Sequence, residues 1–187
     1  MTRSPQTTMG APQALVVVDV QMGTIDSDDP IDRVVLQNMA ALLARARARR
    51  IPVIYIQHES LEPGATLVPG HPDWPIHPAV APAPDEPVVH KHSSDSFHRT
   101  ELDGLLHRLE VHHLAVIGCA TDYCVDTTCR SALSKGYDVT LAADGHVTGP
   151  DGDLSVEAII KHHNRTLAQI AIEDARIRVI PSAAIIF

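Results

Sequence analysis

The chain has 187 residues, 44% of them apolar but only 3% aromatic, and a formal net charge of −8. That length supports one domain with a core of Val, Ile, Leu and Ala, and not two comfortable ones. The acidic balance argues against nucleic acid as a partner, which needs a basic face, and no stretch approaches the roughly 20 apolar residues of a membrane span. Residues 1–12 are polar, lack an apolar signal core and read as a disordered tail ahead of a single domain over 13–187. Residues 14–19 (ALVVVD) form an unbroken apolar run ending in an acid, the pattern of a strand covered on both faces of a parallel sheet. Residues 31–50 read as a helix with apolar positions at Val34, Val35, Met39, Leu42 and Leu43. It closes in Arg45, Arg47, Arg49 and Arg50, which suit a helix C-terminus. Pro52 breaks it, and residues 53–57 (VIYIQ) form the second strand.

A Pro- and Gly-rich stretch follows over 62–87, with no regular period; a loop this long inside one domain points to function. Residues 87–91 (PVVHK) read as a third strand, 100–110 as a helix with Thr100 as N-cap and Asp103 three residues on, and 113–119 (HLAVIGC) as a fourth strand. A helix is expected over 121–135, capped by Thr121 or Asp122 and stopped by Gly136. Strand five covers 137–143, a long helix 153–172 and strand six 176–180. This alternation predicts an α/β domain of three α/β/α layers around a mostly parallel six-stranded sheet.

Open parallel sheets bind ligands beyond the carboxyl ends of their strands. Asp19 ends strand one, Lys91 ends strand three, and Cys124 lies just past strand four. An acid, an amine and a thiol therefore reach one edge. In the first turn of a helix, free N–H groups and the positive dipole end favour a thiolate, and Lys91 would add to this. The plainer readings stay open: Cys124 as a small buried apolar residue, Asp19 as a loop cap, Lys91 as a solvated strand end. Cys119 and Cys129, each five residues from Cys124, read as structural; three cysteines without CxxC spacing argue for a reducing compartment.

Residues 118–125 (GCATDYCV) resemble the nucleophile motif of isochorismatase-like cysteine hydrolases, the group of nicotinamidases and N-carbamoyl amidases. Residues 16–21 (VVVDVQ) resemble that family's first-strand motif, and 89–102 (VHKHSSDSFHRTEL) its lysine motif. Residues 136–144 (GYDVTLAAD) fit the strand after the nucleophile helix. The pieces occur in the family's order across nearly the whole chain.

The resemblance implies a six-stranded, Rossmann-like parallel sheet and a set of roles. Cys124 is the expected nucleophile, Asp19 the group that takes the thiol proton and passes it to the leaving nitrogen, and Lys91 the partner of Asp19. The backbone amides of Ala120 and Cys124 are the expected oxyanion hole, with a cis peptide at Cys119–Ala120. A retained Cys124 implies C–N rather than vinyl-ether cleavage. Nicotinamidases carry an Asp-x-His metal pair after strand two; here the place reads Gln57-His58-Glu59, so neither a metal nor nicotinamide is expected. The reading is thus a cofactor-free, cytoplasmic, homo-oligomeric hydrolase of a small amide or carbamoyl compound. A nicotinamidase with an unusual site and a non-catalytic binding domain of the same fold are its rivals.

Twelve histidines invite a metal site, for which His58, His71 and His77 are the best loop set, but loop histidines more often face solvent. For the walls of a substrate pocket the candidates are Phe97, Trp74 and His58, since aromatic groups line small-molecule sites, and His146, which follows strand five near the active edge. His162 and His163, with Asn164, read as helix-surface or subunit-contact residues.

Overall fold

The structure is a computed structural model that describes residues 10–187; most of the expected tail, residues 1–9, lies outside the described residues. Six strands form one all-parallel sheet: β1 (Ala14–Val18), β2 (Val53–His58), β3 (Val88–Lys91), β4 (His113–Cys119), β5 (Asp138–Val147) and β6 (Ile177–Ile180). Their order is β3-β2-β1-β4-β5-β6, so the chain reverses direction of growth between β1 and β4. That switch point is where a doubly wound sheet opens a crevice at its carboxyl edge.

The expected strands are present because their apolar runs can be covered on both faces. All five residues of β1 and all seven of β4 are buried. On one face α1 (Pro30–Ala48) lays Leu36, Met39, Leu42 and Leu43 against Leu15, Val17, Tyr55 and Ile117. Val34, expected on that stripe, instead faces solvent. Asp29 caps α1 by accepting from the amides of Ile31 at 2.7 Å and Asp32 at 3.2 Å, and Pro30 starts it. On the other face α2 (Leu102–Arg108) and α3 (Asp126–Ser134) cover Val16, Val18, Ile54 and Val116. α4 (Val156–Leu167) starts at the Ser155 cap and adds Leu167 to the same cluster.

Gly118 is required where β1 and β4 meet. Its φ is +149°, and a Cβ there would stand 2.2 Å from the Val18 carbonyl oxygen. Three other expectations are corrected. Thr100 is not the cap of α2; Glu101 holds that position without a side-chain bond, while Thr100 Oγ1 donates to the Ser96 carbonyl at 2.6 Å. The helix after β4 does not begin as an α-helix but as a π-helical turn, Thr121–Val125, capped by neither Thr121 nor Asp122. β5 runs on past Ala143 to Val147, pairing His146 with Gly118 and Val147 with Cys119. No described helix is long and apolar enough to cross a membrane.

Candidate active site

Asp19, Lys91 and Cys124 meet at the carboxyl edge, across the switch point between β1 and β4. Lys91 Nζ lies 2.6 Å from Asp19 Oδ2, and it donates to Cys124 Sγ at 3.2 Å and to the Ser93 carbonyl at 2.7 Å. Its three N–H donors are thereby engaged, which permits a lysine to be 1% exposed. Asp19 adopts a left-handed φ of +49°, which aspartate tolerates better than most residues. The bend is held by the Asp19 amide on the Ile56 carbonyl at 3.0 Å and by Thr24 Oγ1, which donates to the Asp19 carbonyl at 2.6 Å.

Burial raises the Asp19 carboxyl above its ordinary value; the Lys91 charge and hydrogen bond, and then the Cys124 thiol, pull it back. Burial, followed by the Asp19 charge, pushes the Cys124 thiol up to about 11 despite Lys91. Burial and the Asp19 charge thus oppose the thiolate that the turn's N–H groups and Lys91 were expected to favour. Loss of the thiol proton is favoured by a base in contact with the sulfur, and the Asp19 carboxylate stands beside it. Cys119 and Cys129 are fully buried and raised further by burial, as suits structural thiols. The Cys119–Ala120 peptide bond is cis.

Of the expected pocket residues, His58 is brought to the site. It pairs in register with Lys91 on the adjoining strand, and its pKa is lowered by burial and by the Lys91 charge. Its Nδ1 is buried without a hydrogen-bond partner among the described residues. Trp74 is not brought there: it stacks on His90, whose side chain leaves β3 on the face opposite Lys91. Phe97 is a core residue, 6% exposed and stacked on Tyr137 at 5.8 Å between ring centroids. His146 has no exposed surface, and both ring nitrogens are engaged by Thr121 and Asn164, so it contacts no substrate.

The metal candidates are used locally: His71 Nδ1 accepts from the Asp73 amide and His77 Nδ1 from the Ala79 amide, each at 3.2 Å. Among the described residues no three His, Cys, Asp or Glu side chains are grouped to hold an ion. A cavity of about 750 Å³ between Arg47, Pro52, Glu86 and Leu109 lies at the amino ends of β2 and β3, away from the sulfur. One of about 560 Å³, lined by Thr24, Asp26, His77 and Thr148, opens at the carboxyl edge beside the turn after Asp19.

Gln21 was missed by the sequence reading. Its side chain is fully buried, donates to the carbonyls of Trp74 at 2.7 Å and His58 at 3.1 Å, and accepts from the His58 amide at 2.8 Å. The long loop is further pinned by the amides of Met22 and Gly23 on the carbonyls of Pro75 and Asp73, both at 2.9 Å. The available signal was a lone amide two residues after the strand-ending acid.

An isochorismatase domain model matches residues 13–174. A streptothricin hydrolase of Streptomyces noursei is 36% identical over 179 residues; the match covers 92% of this chain and 63% of that protein, so the chain spans less than two thirds of that relative. A ureidoacrylate amidohydrolase, RutB, of Pantoea ananatis is 28% identical over 74% of this chain and 70% of its own length. A crystal structure from Chromobacterium violaceum, assigned to the isochorismatase family, superposes with a TM-score of 0.81 at 31% identity, covering 97% of this chain and 95% of that one. A family match over that span, on a sheet of this order, leaves one assignment: the chain belongs to the isochorismatase-like hydrolase family.

Proposed function

We propose that this protein hydrolyses a C–N bond of a small amide or carbamoyl compound through a covalent acyl-enzyme on Cys124. One observation carries the reading: a single buried ammonium, Lys91, touches both the Asp19 carboxylate and the sulfur that needs a base. The amidohydrolase and hydrolase relatives support the same bond class.

In the proposed cycle Asp19 takes the Cys124 proton as the sulfur attacks the carbonyl carbon. The oxyanion is received by the backbone N–H groups of Ala120 and Cys124; losing one such donor typically costs about 3 kcal/mol of barrier. The C–N bond breaks, the nitrogen leaves with the proton from Asp19, and a thioester remains. Asp19 then takes a proton from water, the resulting hydroxide attacks the thioester, and the acid leaves as the thiol is restored. Lys91 holds the carboxylate through both halves. His58, beside Lys91 with an unpartnered Nδ1, is the side chain placed against the substrate. The chemistry calls for no cofactor. All three cysteines are free, which fits a reducing compartment such as the cytoplasm.

The test is a screen of small amides and carbamoyl compounds for ammonia release, with Cys124→Ala as control. The reading expects release that Cys124→Ala abolishes. Release that survives the substitution overturns it.

A further inference from the structure

The turn that carries the nucleophile lacks the usual means of holding itself. Its cap, Ala120, makes no side-chain bond, and its π-helical start directs two amides, those of Tyr123 and Val125, onto the one Ala120 carbonyl at 3.2 and 3.0 Å. What holds it comes from outside. Thr121, with no exposed surface, lies 2.8 Å from His146 Nδ1, and His146 Nε2 lies 2.9 Å from Asn164 Oδ1. Asn164 Nδ2 in turn donates to the Ala143 carbonyl at 2.8 Å.

This chain of bonds has one consistent direction. A carbonyl only accepts, so the Asn164 amide nitrogen faces Ala143 and its oxygen faces His146. Nε2 must then carry the imidazole proton and donate to Asn164. Nδ1 is left with a lone pair and accepts from the Thr121 hydroxyl. α4 thus fixes the tautomer of a histidine in β5, and that histidine fixes a hydroxyl three residues before Cys124.

We propose that His146, set by Asn164, is a positioning residue that holds the Cys124 turn through the Thr121 hydroxyl. The proposal rests on the covalent reading of Cys124 and adds to it which side chains aim the sulfur. Cys124 Sγ meets Lys91 Nζ at 3.2 Å, a close contact for a sulfur acceptor, and Lys91 joins it to Asp19 at 2.6 Å, so the alignment depends on where the turn holds the sulfur. A displacement of the turn by about 1 Å breaks that alignment, and misplacements of this size cost on the order of 100-fold in rate.

The test separates the hydroxyl from the shape of Thr121. Thr121→Val keeps the shape and removes the donor; Thr121→Ser keeps the donor and removes the methyl group. The probes are iodoacetamide, for the sulfur, and the compound of highest turnover in the ammonia screen. Thr121→Val is expected to lower kcat by about 10- to 100-fold with KM within about threefold, and to slow alkylation of Cys124 at pH 9. Thr121→Ser is expected to restore most of that kcat. Asn164→Ala, on the half-buried face of α4, removes the tautomer control without enlarging the core and is expected to lower kcat about tenfold. Full kcat in Thr121→Val, an equal loss in Thr121→Ser, or unchanged kcat in Asn164→Ala overturns the proposal. Should Thr121→Val not fold, the Asn164→Ala result decides. Turnover retained by Cys124→Ala would instead overturn the covalent reading beneath it.

Discussion

Asp19 and Lys91 form an ion pair at 2.6 Å with both side chains sealed from solvent, 2% and 0% exposed. Two charges withdrawn from water in this way are costly, and each depends on the other. Asp19→Asn is therefore expected to abolish turnover and to destabilise the fold by about 3–5 kcal/mol, by stranding the ammonium. Asp19→Leu combined with Lys91→Met should recover most of that stability in urea unfolding while remaining inactive. A double variant as unstable as Asp19→Asn contradicts the account of the pair.

The thiol of Cys124 is held up to about 11, by burial first and by Asp19 second. Alkylation of the free protein by iodoacetamide should therefore climb steadily from pH 7 toward pH 10, about tenfold per unit where the thiolate is scarce. A rate that levels off below pH 8 would mean a preformed thiolate and a different resting site.

His146 is buried in its neutral form, with its pKa lowered from 6.5 to about 4, chiefly by burial. As the pH falls the unfolded chain binds this proton first, so the contribution is complete above pH 6.5 and is lost as the pH drops through 4. The loss amounts to about 3 kcal/mol. His113, His58 and His77 are also lowered by burial and act with the same sign. Asp19 acts oppositely: its pKa is raised, so the folded state binds that proton first and stability falls as the pH rises above 3.8. The urea midpoint is expected to be lower at pH 4.5 than at pH 7.5. An equal or higher midpoint at pH 4.5 contradicts burial of a neutral His146.

Gln21→Ala removes three hydrogen bonds: the His58 amide and carbonyl lose their Gln21 partner, while the Trp74 carbonyl keeps Gln57 Nε2 at 2.9 Å. It should cost about 2 kcal/mol and raise KM more than it lowers kcat, because the His58 end of the pocket loosens while Cys124 is untouched. Proteolysis within residues 59–77 that is no faster than in the parent chain would contradict the clamp.

Gly118→Ala places a Cβ 2.2 Å from the Val18 carbonyl, backbone against side chain with no flexible end to yield. A loss above about 4 kcal/mol is expected, seen as a chain without a cooperative thermal transition. A melting point within a few degrees of the parent would contradict the close approach of β1 and β4.

The strands were legible because each is a short apolar run: Asp19 follows β1 directly, Lys91 ends β3, and Cys124 lies five residues past the end of β4, so the sheet rule brings all three to one edge. The order of the strands follows from crossovers that no single run encodes. The tail of β5 was hidden because Asp144-Gly145-His146 reads as a turn. It becomes strand only by pairing with Gly118 and Cys119, while Asp144 accepts from the Ser182 amide at 2.6 Å. That extension explains the other miss: Thr121 bonds His146, and Asp122 accepts from Thr148 at 2.5 Å, so neither side chain is free to cap the turn. Trp74 and Phe97 were proposed for the pocket from residue type and His146 from its place after strand five, and neither signal says which way a ring will leave the backbone.

The proposed cycle requires that substrate carbon become bonded to the Cys124 sulfur. Acid quenching during turnover, followed by intact-protein and peptide mass spectrometry, measures this directly. The expected result is an added mass equal to the acyl part of the substrate, located on the peptide that contains Cys124 and missing in Cys124→Ala. Turnover at full rate with no adduct on that peptide, under conditions that accumulate the intermediate of a known thioester enzyme, would contradict it.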